Sequence, residues 1–388
     1  MSSSQVSFTG KVAAKPYSQS GIYDQDRISH VGGVAVLADG HGEQGRLCAE
    51  FSAEYIRQEM TRRLSFTEDV DPADLEKSLV RLFHETNEAL RGHLCGVLNG
   101  VKDDNGVPCV FKGGATISGG AVLTAIVSGT HEKRKYLTIA NVGDAEAYIY
   151  SRKDDGTVES IKCTTDHSPY SRVEQLRLKT APVQCMLATT QPDFYIPIND
   201  ADGNPIDYAF AEGKTLYYAL LAVHGTEDPE KKKECVKQWQ EANKVFKTHP
   251  RHKDYEKLVW CTKQSMANRD CPAAYIVGDS TSEYGQVTRL QSARAIGDFA
   301  QQQVGIIPTP DTTTIWLDQL PPAEKQILFV ASDGVHDCFT EEELATLVLS
   351  DKTDDELLEI FVGQSKHLFG GRQHDDISFI RSAVPPAH

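Results

Sequence analysis

Short apolar runs recur along most of the chain and predict buried β-strands. Five of these runs are VAVLAD beginning at Val34, AVLTAIV at Ala121, YLTIANV at Tyr136, ILFVAS at Ile327 and ISFI at Ile377. Stretches with apolar residues at intervals of three and four lie between them and predict amphipathic helices. The chain is therefore expected to mix helix and sheet.

Two predicted helices follow the first of these runs. In EQGRLCAEFSAEYIRQEM, one apolar face is formed by Leu47, Phe51, Tyr55 and Ile56. The next helix begins at Pro72, because proline is favoured in the first turn of a helix. Its apolar face consists of Leu75, Leu79, Leu82, Phe83 and Leu90.

Two more helices are predicted near the C-terminus. Thr340 with Glu343, and Thr353 with Glu356, have the spacing of capping boxes, in which the two side chains satisfy amides at a helix start. The order of elements is then strands, two helices, strands, two helices and a strand. It lacks the strict alternation of a parallel sheet, so we predict an α+β fold with antiparallel sheets covered by helices.

Residues 179–290 differ from the rest of the chain. Alternating residues flank Asp202-Gly203, which is a hairpin turn signal. A helix is expected to start after Asp228, with Pro229 in its first turn. We predict that this stretch is an extended insertion, or flap region, within a single domain that spans residues 1–388.

The composition excludes several classes of function. The net charge of -15 argues against a nucleic-acid partner, whose affinity comes largely from basic contacts. The N-terminus lacks a signal-peptide pattern, Ser2 stands where myristoylation needs glycine, and no apolar run approaches ~20 residues. Nine scattered cysteines without metal-type spacing are typical of reduced thiols. We expect a cytoplasmic protein, nuclear location being compatible, with no membrane association.

Acidic residues follow the apolar strands at five places: Asp39, Asp144, Asp298, Asp333 and the pair Asp375-Asp376. A single such site is commonly only a turn. If strands of one sandwich bring five together, however, the carboxylates form a cluster that cannot stay ionised without a cation. Oxygen ligands select Mg²⁺ or Mn²⁺. Two such ions ~3.5–4 Å apart would activate a water for in-line attack on phosphorus.

Seven short motifs in order resemble those of the metal-dependent serine/threonine protein phosphatases of type 2C, the PPM family. They are DGHG, GGAT, ANVGDA, TTDHSP…E…RL, ARAIGD, ASDGVHD and HDDISFI, and the resemblance runs from about Gly21 to Ala383 apart from the insertion. It implies a central antiparallel β-sandwich flanked on both faces by pairs of antiparallel helices. It also implies hydrolysis of phosphoserine and phosphothreonine in a phosphoprotein substrate.

The resemblance assigns roles to individual residues. Asp39 corresponds to the carboxylate that bridges two Mg²⁺ or Mn²⁺ ions, and Gly40 to a carbonyl ligand of one of them. Asp333 and Asp375 correspond to ligands of the other ion. Three further roles are implied, namely a third, weaker ion on Asp144 with Asp333, a general acid at His41, and an acid acting through metal-bound waters at Asp26.

The chain departs from the family pattern where an arginine usually grips the substrate phosphate, because Gly21 stands there; Arg27 is a candidate replacement. Glu146 stands where relatives have a basic residue. Several alternatives stay open. His41 could instead cap a turn, and Arg294 could form a structural salt bridge. Asp298 could support the site without binding a metal. At the level of function, the alternatives are a catalytically silent scaffold with this fold and, less favoured by the acidic charge, a two-metal nuclease.

Overall fold

The computed structural model describes residues 6–15, 24–63, 69–97, 101–102, 108–110, 119–168, 292–302, 305–368 and 371–384, with shorter pieces at 171, 173–174, 177, 186–188, 195–197, 234, 237, 262–265, 269–272, 275–277 and 289–290. Contacts divide the chain into two compact units. The first is Met1–Asp166 with Arg294–Asp298 and Pro308–His388, and the second is His167–Ala293 with Phe299–Ile307. The predicted insertion within a single domain stays a prediction.

Two antiparallel sheets form the first unit. One has the order β1-β19-β18-β8-β9, from strands β1 (Thr9–Ala13), β8 (Glu146–Arg152), β9 (Val158–Lys162), β18 (Lys325–Ala331) and β19 (Ile377–Ala383). The other has the order β17-β7-β6-β3-β2, from β2 (Arg27–Val31), β3 (Val34–His41), β6 (Gly120–His131), β7 (Arg134–Val142) and β17 (Asp311–Trp316), with β16 (Ile296–Gly297) paired to β6. Strands β4 (Val101–Lys102) and β5 (Pro108–Val110) pair separately.

One buried cluster lies between the two sheets. It takes residues from both of them, such as Leu37 and Ile139 from one and Ile149 and Val330 from the other. Successive side chains of a strand point to opposite faces of the sheet. Each apolar run therefore places side chains both in this central layer and on the outer face that the helices cover. The observed architecture confirms the predicted α+β fold with a central antiparallel sandwich.

Helices α1 (Gly45–Arg63) and α2 (Pro72–Val97) cover the sheet that contains β3. They are antiparallel, since the Phe51 ring stacks on His93 at 4.6 Å while Arg63 pairs with Glu85 further along. The predicted apolar face of α2 is buried throughout. On α1, Leu47, Phe51 and Tyr55 of the predicted face are only half-buried, and Phe51 stacks on Tyr55. The face that is fully buried carries smaller residues, which let the helix approach the sheet; its residues are Gly45, Cys48, Ala49, Ser52, Ala53, Ile56 and Met60.

The outer face of the other sheet packs against the C-terminal helices. These are α4 (Asp333–His336), α5 (Glu341–Val348) and α6 (Asp354–Leu368), and rings such as Phe329 and Phe361 fill the interface. Both predicted capping boxes are confirmed. Thr340 and Glu343 exchange the two hydrogen bonds at the start of α5, and Thr353 and Glu356 do so at α6. A short 3₁₀ turn, Leu317–Gln319, follows β17.

The second unit contains a sheet of order β11-β10-β14-β15, from β10 (Met186–Ala188), β11 (Tyr195–Pro197), β14 (Tyr275–Val277) and β15 (Arg289–Leu290). Strands β12 (Thr262–Ser265) and β13 (Arg269–Pro272) form a hairpin, and α3 is Phe299–Gln302. The predicted turn at 202–203 and most of the predicted helix after Asp228 lie outside the described residues. Among the helices that are described, none has the length and apolarity to cross a bilayer.

Candidate active site

The antiparallel register brings the ends of several strands to one end of the sandwich. Strand β18 ends at Ala331, which pairs with Glu146 at the start of β8 and with Phe379 near the start of β19. In the other sheet, Arg27 at the start of β2 pairs with Ala38 near the end of β3. The acids near these strand ends are thereby gathered, namely Asp26, Asp39, Asp144, Asp333 and Asp375. The strand-end pattern of the sequence identifies all of them except Asp26, which comes from the resemblance alone.

Asp39 lies within the electric field of four other carboxylates. Burial raises the pKa of Asp39 well above its usual value, and the negative charges of Asp26, Asp333, Asp375 and Asp144 raise it further. These carboxylates, named the acidic cluster below, therefore repel one another in their ionised forms.

Gly40 is held where no side chain fits. A Cβ there would lie 2.4 Å from the carbonyl oxygen of Gly45, at the start of α1, and 2.8 Å from the carbonyl oxygen of Gln25. Only glycine can bring the backbone this close to two other segments. The Gly40 carbonyl, to which the resemblance assigns a metal, thus belongs to a backbone segment that packs directly against Gly45 and Gln25.

Asp333 and Asp375 come together through the turn that starts α4. A Cβ at Gly334 would lie 1.9 Å from the Asp376 carbonyl oxygen, so the two segments touch. Burial and the Asp333 charge raise the pKa of Asp375 to about 7, although the Lys15 ammonium opposes the rise. Ionising both carboxylates of the pair is therefore unfavourable unless a cation compensates their charge.

Asp26 is almost fully buried, and its Oδ2 has no hydrogen-bond partner in the described part of the chain. Burial raises its pKa well above the usual value; the neighbouring Ser378 hydroxyl opposes this rise, and Asp376 and Asp375 add to it. A buried carboxylate oxygen without a donor is costly unless another group satisfies it.

These residues fit a hard divalent cation by their chemistry. The donors are carboxylate oxygens, which Mg²⁺ and Mn²⁺ prefer, and the unsatisfied oxygen of Asp26 calls for a positive or hydrogen-bonding partner. Within the described ranges, no three acidic, histidine or cysteine side chains already stand at the spacing of a formed metal centre. The cluster therefore provides the ligand set at one end of the sandwich rather than a closed cage.

His41 ends β3 and directs its ring to a second acid. Its Nε2 lies 2.5 Å from Oδ2 of Asp298, whose side chain is only 3% exposed. Burial lowers the pKa of His41, but the Asp298 carboxylate, with smaller contributions from Asp144 and Asp333, raises it, and the net shift is upward. The ring is thus held in place and its protonated form is favoured, as a proton donor requires.

Arg27, the candidate for gripping phosphate, is engaged by its own surroundings. Its guanidinium donates to the carbonyl oxygens of Asp24 and Asp26 and to the Asp24 carboxylate. Arg294 forms a salt bridge with Asp311 at 2.7 Å and donates to the Thr309 carbonyl. These contacts favour the structural alternative for Arg294, whereas a substrate role for Arg27 stays a prediction. Gly21 lies outside the described residues.

The supporting roles of two residues, Asp376 and Gln25, were not predicted from the sequence. Asp376, the neighbour of Asp375, accepts hydrogen bonds from the backbone amides of Lys15 and Gln25, the latter at 2.6 Å. The Gln25 side chain donates to the Gly42 carbonyl at 2.6 Å. The pair Asp375-Asp376 stands out in the sequence, but only the structure shows that its second acid, Asp376, binds the N-terminal segment.

Glu146, the departure from the family pattern, lies two residues after Asp144 and is 6% exposed. It forms a salt bridge with Lys162 and accepts a 2.9 Å hydrogen bond from the Tyr148 hydroxyl, and His336 Nδ1 lies 3.5 Å away. We name Glu146, Tyr148, Lys162 and His336 the Glu146 group. The negative charge of Glu146 is therefore compensated by a positive charge from Lys162 and by the hydrogen bond from Tyr148.

Comparisons with known proteins agree with this architecture. A family model described as Protein phosphatase 2C matches residues 15–190 and 276–362. "Probable protein phosphatase 2C 73" of Oryza sativa subsp. japonica is 25% identical over 219 residues, which is 48% of this chain and 47% of that relative. "Probable protein phosphatase 2C 61" of Arabidopsis thaliana is 32% identical over 103 residues, 26% of this chain and 30% of the relative. The matches thus span about half of the first relative and less of the second.

Among solved structures, the crystal structure of serine-threonine phosphatase 2C from Toxoplasma gondii has a TM-score of 0.55. The likeness covers 99% of this chain and 96% of that one, at 11% identity. At this identity it shows the shared fold.

Proposed function

The chain belongs to the protein phosphatase 2C family, and on that basis we propose that it hydrolyses phosphoserine and phosphothreonine in proteins with Mg²⁺ or Mn²⁺ as cofactor. The observation that carries this proposal is the acidic cluster. Asp39 is surrounded by four like charges at the end of the sandwich, where strands from both sheets terminate. Mutual repulsion among buried carboxylates destabilises a protein that binds no cation. In a metal enzyme the same carboxylates are the ligands, and the bound cations compensate their charge.

In the proposed active site, Asp39, the Gly40 carbonyl, Asp333 and Asp375 would hold two cations, and Asp144 with Asp333 a third. When bound, these ions would supply charge compensation for the phosphate oxygens and make water a stronger nucleophile. Asp26 would accept hydrogen bonds from water in this site through its unpartnered oxygen.

The hydrolysis forms one bond and breaks one. A water oxygen bonds to phosphorus while the bond from phosphorus to the serine or threonine oxygen breaks, so the products are inorganic phosphate and the free hydroxyl. The attacking water loses one proton, and the leaving oxygen gains one from His41. A general acid matters most here because an alkoxide is a poor leaving group.

A phosphatase assay of the full chain tests this proposal. Purified protein is assayed on p-nitrophenyl phosphate and on a phosphothreonine peptide with Mn²⁺, with Mg²⁺ and with excess chelator. We expect turnover with either ion and none in chelator. Full activity in chelator would contradict the metal role.

The same assay addresses the catalytically silent alternative. A silent relative would show no turnover under any condition while remaining folded by circular dichroism. A bound Mn²⁺ without turnover would identify a binding protein that kept the ligand set.

A further inference from the structure

Asp298 reaches His41 across three strands, although 257 residues separate the two positions. Strand β6 begins at Gly120, which pairs with His41 of β3 on one side. On its other side the same glycine pairs with Gly297 of β16. Asp298 follows directly after Gly297, so the register places it one strand away from His41 with Gly120 between them.

Gly120 clears the path between the two side chains. A Cβ at this position would lie 2.3 Å from Oδ2 of Asp298, the oxygen that contacts His41. Any residue with a side chain would therefore displace the carboxylate or the strand. The absence of a side chain at Gly120 is what allows the contact.

Asp298 is held in an uncommon backbone conformation. Its φ is +44°, in the left-handed region that aspartate and asparagine enter more readily than other side chains. Its amide donates to the Gly119 carbonyl at 3.0 Å, and the preceding amide, of Gly297, donates to the Asn87 side chain at 3.0 Å. Such a conformation persists only where its surroundings impose it, and it is commonest at functional sites.

We propose that Asp298 is a positioning residue for His41. Its carboxylate binds Nε2, fixes the plane of the imidazole and leaves Nδ1 as the nitrogen that gives the proton to the departing oxygen. A protonated imidazole carries one N–H on each nitrogen, and a carboxylate that binds one of them leaves the other as the nitrogen that can give up its proton. This inference rests on the proposed function of His41.

Asp298→Asn removes the charge but keeps a residue that tolerates the left-handed backbone. We expect kcat on the phosphothreonine peptide to fall on the order of 10-fold to 100-fold, with KM unchanged. On p-nitrophenyl phosphate, whose leaving group needs no proton, kcat is expected to fall less than about 3-fold. Asp311→Asn, which breaks the salt bridge to Arg294 in the same unit, is the matched control and is expected to affect both substrates equally.

A double-mutant cycle separates positioning from general structural damage. In a His41→Ala background, Asp298→Asn is expected to cause no further loss on the peptide, because the group it positions is gone. Equal losses on both substrates, or losses that multiply with His41→Ala, would overturn the proposal.

A spectroscopic readout keeps the inference testable independently of activity. In long-range ¹H–¹⁵N spectra of the wild-type full chain, with His41 signals assigned from His41→Gln, we expect Nε2 to carry a proton shifted downfield by the carboxylate. An Nε2 without such a proton would overturn the proposal even if Asp298→Asn failed to fold. Absence of turnover by the wild type together with this signal would instead overturn the proposed function and leave the contact standing.

Discussion

Asp144 of the acidic cluster and Glu146 are two residues apart in the chain, but the acidic cluster and the Glu146 group differ in what surrounds their buried negative charge. Glu146 is surrounded by a lysine ammonium, a tyrosine hydroxyl and a histidine ring. The pKa of Asp39 is raised by burial and then by the negative charges of four other aspartates, with no positive group among the causes. A buried acid with positive and hydrogen-bonding neighbours can stay ionised in the folded chain. A set of mutually repelling acids can stay ionised only if a cation from outside the chain binds to it.

The largest expected effect follows from removing one ligand of the acidic cluster. Asp39→Asn and Asp333→Asn should each lower kcat on p-nitrophenyl phosphate at least about 100-fold, since charge compensation at the reacting phosphate dominates catalysis. Steady-state kinetics in saturating Mn²⁺ measure this, with circular dichroism to confirm folding. Glu146→Gln is the matched control, and retention of activity by Asp39→Asn would end the assignment of the cluster as a metal site.

The two regions should respond oppositely in stability. Glu146→Gln leaves Lys162 without its countercharge and is expected to lower the free energy of unfolding by about 1–3 kcal/mol. Asp39→Asn removes one of several like charges, so the metal-free protein should be equally stable or more stable. Urea unfolding in chelator measures both variants. If Asp39→Asn were the more destabilising of the two, the contrast between the regions would be wrong.

A third prediction concerns pH. Burial and Asp333 raise the pKa of Asp375 from 3.8 to about 7, so the folded protein binds protons that the unfolded chain releases. The metal-free protein should therefore lose stability as pH rises from about 4 to 7. Mn²⁺ competes with these protons, so its stabilising effect should grow over the same interval. Melting temperatures at pH 5.5 and 7.5, with Mn²⁺ and with chelator, check both trends.

Loss of this pH trend in Asp375→Asn would assign it to the cluster. Glu146→Gln should keep the Mn²⁺ response, because its carboxylate is already paired. A trend of the opposite sign in the metal-free wild type would show that the carboxylates of the cluster are not the groups that dominate.

The smallest effect is expected outside both regions. Asp351 pairs with Lys325 on the surface and its side chain is 97% exposed. Exposed pairs contribute little because water and salt screen them. Asp351→Asn should leave both the melting temperature and kcat unchanged within error. A clear change in either would mean that single Asp→Asn substitutions perturb this protein generally.

Local patterns predicted the helices and strands well where the cause is local. The capping boxes at Thr340 and Thr353 and the buried face of α2 follow from sequence spacing alone. The buried face of α1 does not, because Cys48, Ser52 and Ala53 are buried for their small size rather than their hydrophobicity. Apolar periodicity favours Leu47 and Phe51 instead, and Phe51 turns out to face α2 through His93.

The gathering of the acids could be predicted because each one ends or precedes a strand of the same sandwich. The contact between Asp298 and His41 could not, since it depends on the register of β3, β6 and β16 across a long separation in sequence. Likewise, the tie from Asp376 to Gln25 depends on where the N-terminal segment runs. Acids at strand ends can be recognised in the sequence, but the residue that each acid contacts is known only from the folded structure.

Strand β1 pairs with β19, so Thr9 lies opposite Arg381. During translation, the first strand emerges from the ribosome long before its neighbour exists and must wait for nearly all of the chain. Asp375 arrives with that same late segment. A polypeptide that ends before residue 375 therefore cannot gather the whole acidic cluster, and the proposed activity would require the late segment that carries Asp375 and β19.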